Sequence, residues 1–171
     1  MYAAGRPIVT TFPPAELLYI RYLGLHWVDG QLDHTAIPFP RVKNTSVNRG
    51  SLSEPEDVLF SETNAYAHWG VLRFFVNEIP TPVETLGAPT YLFWTKHVPL
   101  ELNYSHTELW SKRAEGTEDF REPSAAIKTL FRIRLAQVLT AERICIPSND
   151  GNGIESAPGG PQVSGDAARA D

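Results

Sequence analysis

The sequence predicts an α+β fold, a mostly antiparallel sheet with two or three helices, the longest near the C-terminus and packed on one face. Three observations lead to this class. Large apolar residues recur at three- and four-residue spacing over residues 127–139, which is typical of an amphipathic helix. Residues 70–79 and 90–98 are rich in β-branched and aromatic residues and are bounded by Gly or Pro, as strands are. Predicted helices and strands do not alternate regularly, which disfavours a doubly wound sheet.

Three segments carry helix signals. The longest predicted helix starts with the Glu-Pro-Ser sequence at residues 122–124 and runs to about residue 143, because Pro is tolerated in a first helical turn. A second helix is predicted over residues 14–23, which contain several leucines. A third is predicted over residues 54–61, where Ser53 begins a capping-box pattern.

The chain of 171 residues divides into two regions by composition. Residues 1–146 are predicted to form a single globular domain, which is an ordinary size for one hydrophobic core. Residues 147–171 are dense in Gly, Pro, Ser, Asp and Ala. Such a segment buries too little apolar surface to offset its ordering entropy, so a disordered tail is predicted there.

Composition limits the classes of partner and the compartment. The net charge of −5 disfavours a broad nucleic-acid-binding surface, which needs many basic residues to displace counterions. No stretch reaches the roughly 20 apolar residues that span a bilayer, so no membrane association is expected. Cys145 is the only cysteine, and no secretory signal precedes the domain. We therefore expect a cytoplasmic protein.

The first polar cluster, residues 44–51, combines Ser46, Asn48 and Arg49 and follows two basic residues, Arg41 and Lys43. A guanidinium beside hydroxyl and amide donors, just before a predicted helix N-terminus, suits an anion or phosphate. The acidic residues at that helix start would repel an anion. The alternative is a solvated loop whose Ser and Asn side chains cap turns.

The second polar cluster lies in a strand predicted over residues 103–109. Side chains two residues apart on a strand share a face, so His106 and Glu108 are candidates for general acid–base catalysis, with the carboxylate orienting the imidazole. Asn103 and the upstream His97 are candidate ligand-binding residues. A metal bound by His106 and Glu108, with His97 as a third ligand, is an alternative, but the spacing matches no established zinc signature, so no metal is assigned. A sheet face on which these polar groups only satisfy one another is the alternative.

A third cluster, two His and two Asp residues between positions 26 and 34, surrounds the Asp-Gly sequence at residues 29 and 30. Asp-Gly favours a two-residue hairpin turn, and across it His26 would lie opposite Asp33. We interpret this cluster as a hairpin and not as a metal site.

Three stretches resemble segments of a group of small uncharacterised bacterial proteins: Ser46 to Arg49 with the following acidic segment, Trp69 to Val71, and Asn103 to Glu108. The resemblance covers about residues 46–108. It carries no activity, cofactor or substrate. It implies a bacterial, cytoplasmic protein and suggests that the first two clusters belong to one site.

Two functional hypotheses follow. In the first, a polar pocket binds or processes an anionic or nucleotide-like ligand, by transfer or hydrolysis at a phosphate or glycosidic centre, and this requires Arg49 and His106 to meet in one pocket. In the second, the domain is a protein-interaction module without catalysis, which predicts a shallow aromatic surface and no deep polar cleft. The sequence specifies no cofactor.

Overall fold

The computed structural model describes residues 5–37, 45–117 and 120–149. In chain order the strands are β1 (Leu17–Tyr22), β2 (Trp27–Val28), β3 (Gln31–Leu32), β4 (Thr45–Arg49), β5 (Gly70–Phe75), β6 (Tyr91–His97), β7 (His106–Arg113) and β8 (Ile144–Ile146). The helix α1 spans Ala125–Val138. Six strands form one sheet in the order β6-β7-β4-β1-β5-β8, and every neighbouring pair is antiparallel. Strands β2 and β3 form a separate hairpin.

The predicted fold class is wrong. Within the described ranges only α1 has seven or more helical residues, so the domain is largely sheet and lacks the two or three helices expected. Residues 17–22 of the second predicted helix form the strand β1, and the third predicted helix is reduced to a short 3-10 turn, Pro55–Leu59. The physical reason for the first error is that β1 is buried on both faces, so its apolar residues show no clear alternation.

The two faces of the sheet have different covers. On the face that we call the helix face, Leu18, Leu72 and Leu109 pack with the α1 residues Phe131 and Leu135 in the main core. On the opposite face, the loop face, Tyr19 and Val71 pack with Val58 from the turn after β4. Side chains alternate along each strand, so neighbouring residues of one strand point to opposite faces of the sheet.

The helix α1 begins where the sequence predicts it. Ser124 is its N-cap, and its hydroxyl accepts a hydrogen bond from the Ile127 amide at 3.5 Å. Phe131 is fully buried and stacks on Phe93 of β6 with ring centroids 4.2 Å apart. The helix ends at Val138, before the predicted residue 143, and a 3-10 turn follows it.

The hairpin of β2 and β3 matches the Asp-Gly prediction. Val28 pairs with Gln31, and Asp29 and Gly30 between them both have positive φ angles, of 50° and 77°. The Asp33 amide donates to the His26 carbonyl at 2.7 Å, so the residues expected to face each other do so through their backbones. This geometry agrees with a structural role for the third cluster.

The first residues of the predicted tail contact the domain. The Ser148 amide donates to the Tyr22 hydroxyl at 3.2 Å, and the Ser148 hydroxyl donates to the His68 carbonyl at 2.9 Å. Residues 150–171 of the predicted tail lie outside the described residues, so the division into domain and tail stays a prediction. In the part of the chain that the structure describes, no helix has the length and apolar character needed to cross a membrane.

Candidate functional site

Strands β4 and β7 bring most of the first two polar clusters together on the loop face. In their antiparallel register Ser46 pairs with Glu108 and Asn48 pairs with His106. Because the spacing is two residues on each strand, all four side chains project to the same face of the sheet. The basic residues of the first cluster, Arg41 and Lys43, lie outside the described residues.

His106 is held by a partner on each ring nitrogen. Its Nδ1 lies 2.7 Å from the Val98 carbonyl oxygen, and its Nε2 lies 3.1 Å from the Ser46 hydroxyl oxygen. A carbonyl oxygen only accepts, so we assign the proton of the neutral ring to Nδ1. Nε2 is then an acceptor, and the Ser46 hydroxyl donates to it. The side chain of His106 is buried, whereas Ser46 is half-buried.

Glu108 is connected differently from the prediction. One of its carboxylate oxygens, Oε2, accepts a hydrogen bond from the Trp110 indole at 2.9 Å, and the residue pairs with Lys96 across β6. The Lys96 ammonium lies 3.6 Å from the centre of the Trp110 ring. The group that orients His106 is therefore the Val98 carbonyl, and Glu108 belongs to a neighbouring arrangement of Lys96 and Trp110.

Asn103 anchors the turn before β7 to β4. Its Nδ2 donates to Asn48 Oδ1 at 3.2 Å, and Asn48 Nδ2 donates to Asn103 Oδ1 at 3.5 Å. The Ser105 hydroxyl also donates to Asn103 Oδ1, at 2.8 Å. These bonds fix the end of β4 against the turn, and they place two carboxamides beside the Ser46–His106 pair.

Arg49 and His97 are not part of this arrangement. Arg49 follows Asn48 on β4 and so points to the helix face, where it forms a buried bidentate ion pair with Glu16, each bond 2.6 Å long. His97 Nδ1 accepts from the Val9 amide at 3.0 Å, and its Nε2 lies 2.6 Å from the Tyr104 carbonyl. The convergence of Arg49 with His106 that the enzyme hypothesis requires is therefore absent.

One cation on the loop face, Arg21 of β1, was missed by sequence reasoning. Its Nη1 donates to the Val58 carbonyl at 3.2 Å, and its guanidinium carbon lies 3.8 Å from the centre of the Tyr66 ring. Among the described residues no carboxylate forms an ion pair with it. Burial lowers the pKa of the Arg21 guanidinium, which reflects the cost of holding a charge in this half-buried position. No local signal identified Arg21, because the apolar residues around it show no clear alternation.

Arg21 and the polar residues of β4 and β7 on the loop face line one cavity of about 520 Å³. Its floor is the sheet, and its other wall is formed by the turn that contains Val58 and by residues 60–66. The polar groups that line the floor and its edge are Arg21, Ser46, Asn48, Asn103, His106 and Glu108. No group of three or more His, Cys, Asp or Glu side chains within the described ranges is placed to hold a metal ion.

Comparisons with known proteins returned no match: no family model, no curated protein and no solved structure is similar to this chain. They give no support to a bacterial origin or to the group of proteins that residues 46–108 resemble. The functional argument therefore rests on the geometry of the cavity.

Proposed function

We propose that the protein binds a small anionic ligand in the loop-face cavity, with the Arg21 guanidinium as its anchor. The observation that carries the proposal is that Arg21 is half-buried and lines the cavity, while no described carboxylate pairs with it. A charge that is partly removed from water without a counter-charge is costly, and a bound anion removes that cost. Within the described part of the chain only Nη1 of the guanidinium has an acceptor, so its other N–H groups can donate to a ligand.

The charges around the cavity favour a monoanion, such as a carboxylate. A guanidinium presents two parallel N–H donors that match a carboxylate. Glu108 and Glu62 also line the cavity, and they oppose a dianionic phosphate. Glu62 is exposed and screened by solvent, and within the described ranges neither Glu62 nor Glu108 forms an ion pair with Arg21. We therefore favour a carboxylate-bearing small molecule over a nucleotide.

The cavity also favours a small-molecule ligand over the alternative, a protein-interaction module. That alternative predicts a shallow aromatic surface without a deep polar cleft. A cavity of about 520 Å³, with a buried His106 and a half-buried Arg21 in its lining, has the size range and polarity of small-molecule sites. This observation supports a small ligand.

Thermal unfolding in the presence of carboxylates tests the proposal. At constant ionic strength, sodium benzoate and sodium butyrate, which are both monoanions, at concentrations about tenfold above Kd should stabilise the wild type by about 1.4 kcal/mol, which raises Tm by about 3–5 °C. Sodium phosphate should have a smaller effect. The variant Arg21→Met, which keeps a long apolar stem without the charge, should lose the shift.

The matched control is Arg73→Met, which removes an arginine charge from an exposed position on the same sheet face but outside the cavity lining. It should respond to the carboxylates as the wild type does. Equal shifts in the wild type and Arg21→Met, or no shift with any carboxylate, would overturn the proposal.

A further inference from the structure

We propose that Ser46 is a nucleophile and His106 its general base, and that the pair transfers the acyl group of a small carboxylic ester. The inference rests on the proposed function, because Arg21 holds a carboxylate of the same substrate. The protein would then be an esterase for substrates that carry a negative charge near the ester.

The first support is the direction of the hydrogen bonds. The Val98 carbonyl fixes the proton of His106 on Nδ1, so Nε2 accepts from the Ser46 hydroxyl at 3.1 Å. A nucleophile, a base within hydrogen-bond distance and a third group that orients the base are the three parts of serine acyl transfer. Here the backbone carbonyl takes the role for which the sequence suggested Glu108.

The second support is that the pair opens into the cavity. A Ser–His bond that only satisfies two buried groups needs no access to substrate, yet both side chains line the space of about 520 Å³. Ser46 is half-buried and lines the cavity, whereas His106 is protected from water by burial. This is the access that a nucleophile and its base require.

The third support is the position of Arg21. Strand β1 pairs with β4 through Leu18 with Arg49 and Tyr19 with Asn48, and extension of this register places Arg21 across from Ser46. A carboxylate bound to Arg21 would therefore lie on the strand next to the nucleophile. The substrate class that fits is an ester whose carboxylate is separated from the reacting carbonyl by only a few bonds.

The reaction balances without any further reagent. The Ser46 proton moves to His106 Nε2 while Oγ forms a bond to the ester carbonyl carbon, and the carbonyl oxygen becomes negatively charged. Asn48 Nδ2 lies two residues along the same face, and to the described residues it makes a long bond of 3.5 Å, to Asn103, so it can donate to this oxyanion. The bond from carbon to the alkoxy oxygen breaks, and the alcohol leaves with the proton from Nε2. Water then releases the acid by the reverse proton transfers and restores Ser46.

Two probes test the inference. A fluorophosphonate should form a covalent adduct with the wild type that peptide mass mapping places on Ser46. After subtraction of the rate measured without protein, the wild type should also hydrolyse the 4-nitrophenyl monoester of succinic acid faster than 4-nitrophenyl acetate. Ser46→Ala and His106→Gln should each lower hydrolysis by at least about 100-fold, the usual range for loss of base-assisted attack. Ser111→Ala, on the helix face of β7, should leave the rate unchanged.

The outcomes distinguish the inference from the proposed function. If the wild type binds butyrate or benzoate but gives neither a Ser46 adduct nor ester hydrolysis, the nucleophile fails and the anion site stands. If Ser46 is labelled but the two esters react at equal rates and Arg21→Met changes neither, the anion site fails and the nucleophile stands. Ser46→Ala that keeps butyrate binding while it loses hydrolysis is the result expected when both are right.

Discussion

The ion pair between Glu16 and Arg49 gives the sharpest test of what holds β4 in place. Both side chains are buried, with 7% and 4% relative exposure. Each carboxylate oxygen of Glu16 accepts from Arg49 at 2.6 Å, and the Ser51 hydroxyl adds a third hydrogen bond at 2.6 Å. Glu16→Gln keeps the shape of the side chain but replaces one acceptor oxygen with an amide that only donates.

The expected cost follows from that burial. Gln cannot compensate the guanidinium, and removal of one partner of a buried pair costs about 3–5 kcal/mol because a charge is left without a counter-charge. This is a large part of the roughly 5–15 kcal/mol that stabilises a typical domain. With a urea m-value of about 2 kcal/mol per molar, the unfolding midpoint should fall by about 1.5–2.5 M.

Urea unfolding, followed by tryptophan fluorescence and far-UV circular dichroism, measures this change. Urea is preferable to guanidinium chloride because salt would screen the charges under test. The matched control is Glu122→Gln, which makes the same change in an ion pair with Lys128 where the Glu122 side chain is 52% exposed. It should cost no more than about 1 kcal/mol. Equal midpoints for Glu16→Gln and Glu122→Gln would refute the reasoning.

Two further predictions concern packing and cysteine reactivity. A Cβ added at Gly70 would lie 2.3 Å from Cε1 of Tyr22. Gly70→Ala should therefore destabilise the domain by about 1–3 kcal/mol in the same urea assay. An unchanged unfolding midpoint would show that Tyr22 moves freely. Burial raises the pKa of the Cys145 thiol, so at pH 8 iodoacetamide should alkylate it more slowly in the folded protein than in urea. A raised thiol pKa favours the neutral form in the folded state, so its contribution to stability is lost as pH rises through the folded pKa. Equal alkylation rates in the folded protein and in urea would contradict the raised pKa of Cys145.

The elements that the sequence predicted correctly are those with local signals. The start of α1 follows from the Ser124 cap and an apolar stripe that recurs every three or four residues, and the β2–β3 hairpin follows from the Asp-Gly turn. The helix end was placed too late because Leu139, with its side chain fully buried, continues the stripe past the last helical residue. Pattern alone does not separate the last turn of a helix from the residue that caps it.

The strand β1 was not predictable from local pattern because its environment is set by distant residues. It lies between β4 and β5, with residues of the main core on one side and Tyr19 packed on the other. A strand covered on both faces shows a run of apolar residues, and such a run over 14–23 also fits a short helix. The strands that pair with β1, and so make this segment a strand, are tens of residues away in sequence.

The same limit on local sequence patterns explains which residues of the site were grouped correctly and which were not. The polar residues of β4 and β7 were found because alternation within a strand is a local property, and Ser46, Asn48, His106 and Glu108 share one face. Arg49 was grouped with them by sequence, but one residue along a strand reverses the face. Its partner Glu16 is 33 positions away, so no local pattern could have assigned it to a buried pair.

Arg21 and Arg49, on two neighbouring strands, differ in one physical respect, and that difference is the strongest argument for the site. On the helix face, Arg49 has a bidentate carboxylate and backbone carbonyls around it, which is how a fold neutralises a buried guanidinium. On the loop face, the described residues give Arg21 a single carbonyl, a tyrosine ring and a cavity. The domain therefore supplies a counter-charge to the buried Arg49 but leaves the half-buried Arg21 facing a cavity. This arrangement has an electrostatic cost at Arg21. An anion that enters this cavity removes the cost, and the nucleophile proposed at Ser46 lies where such an anion would bring its ester.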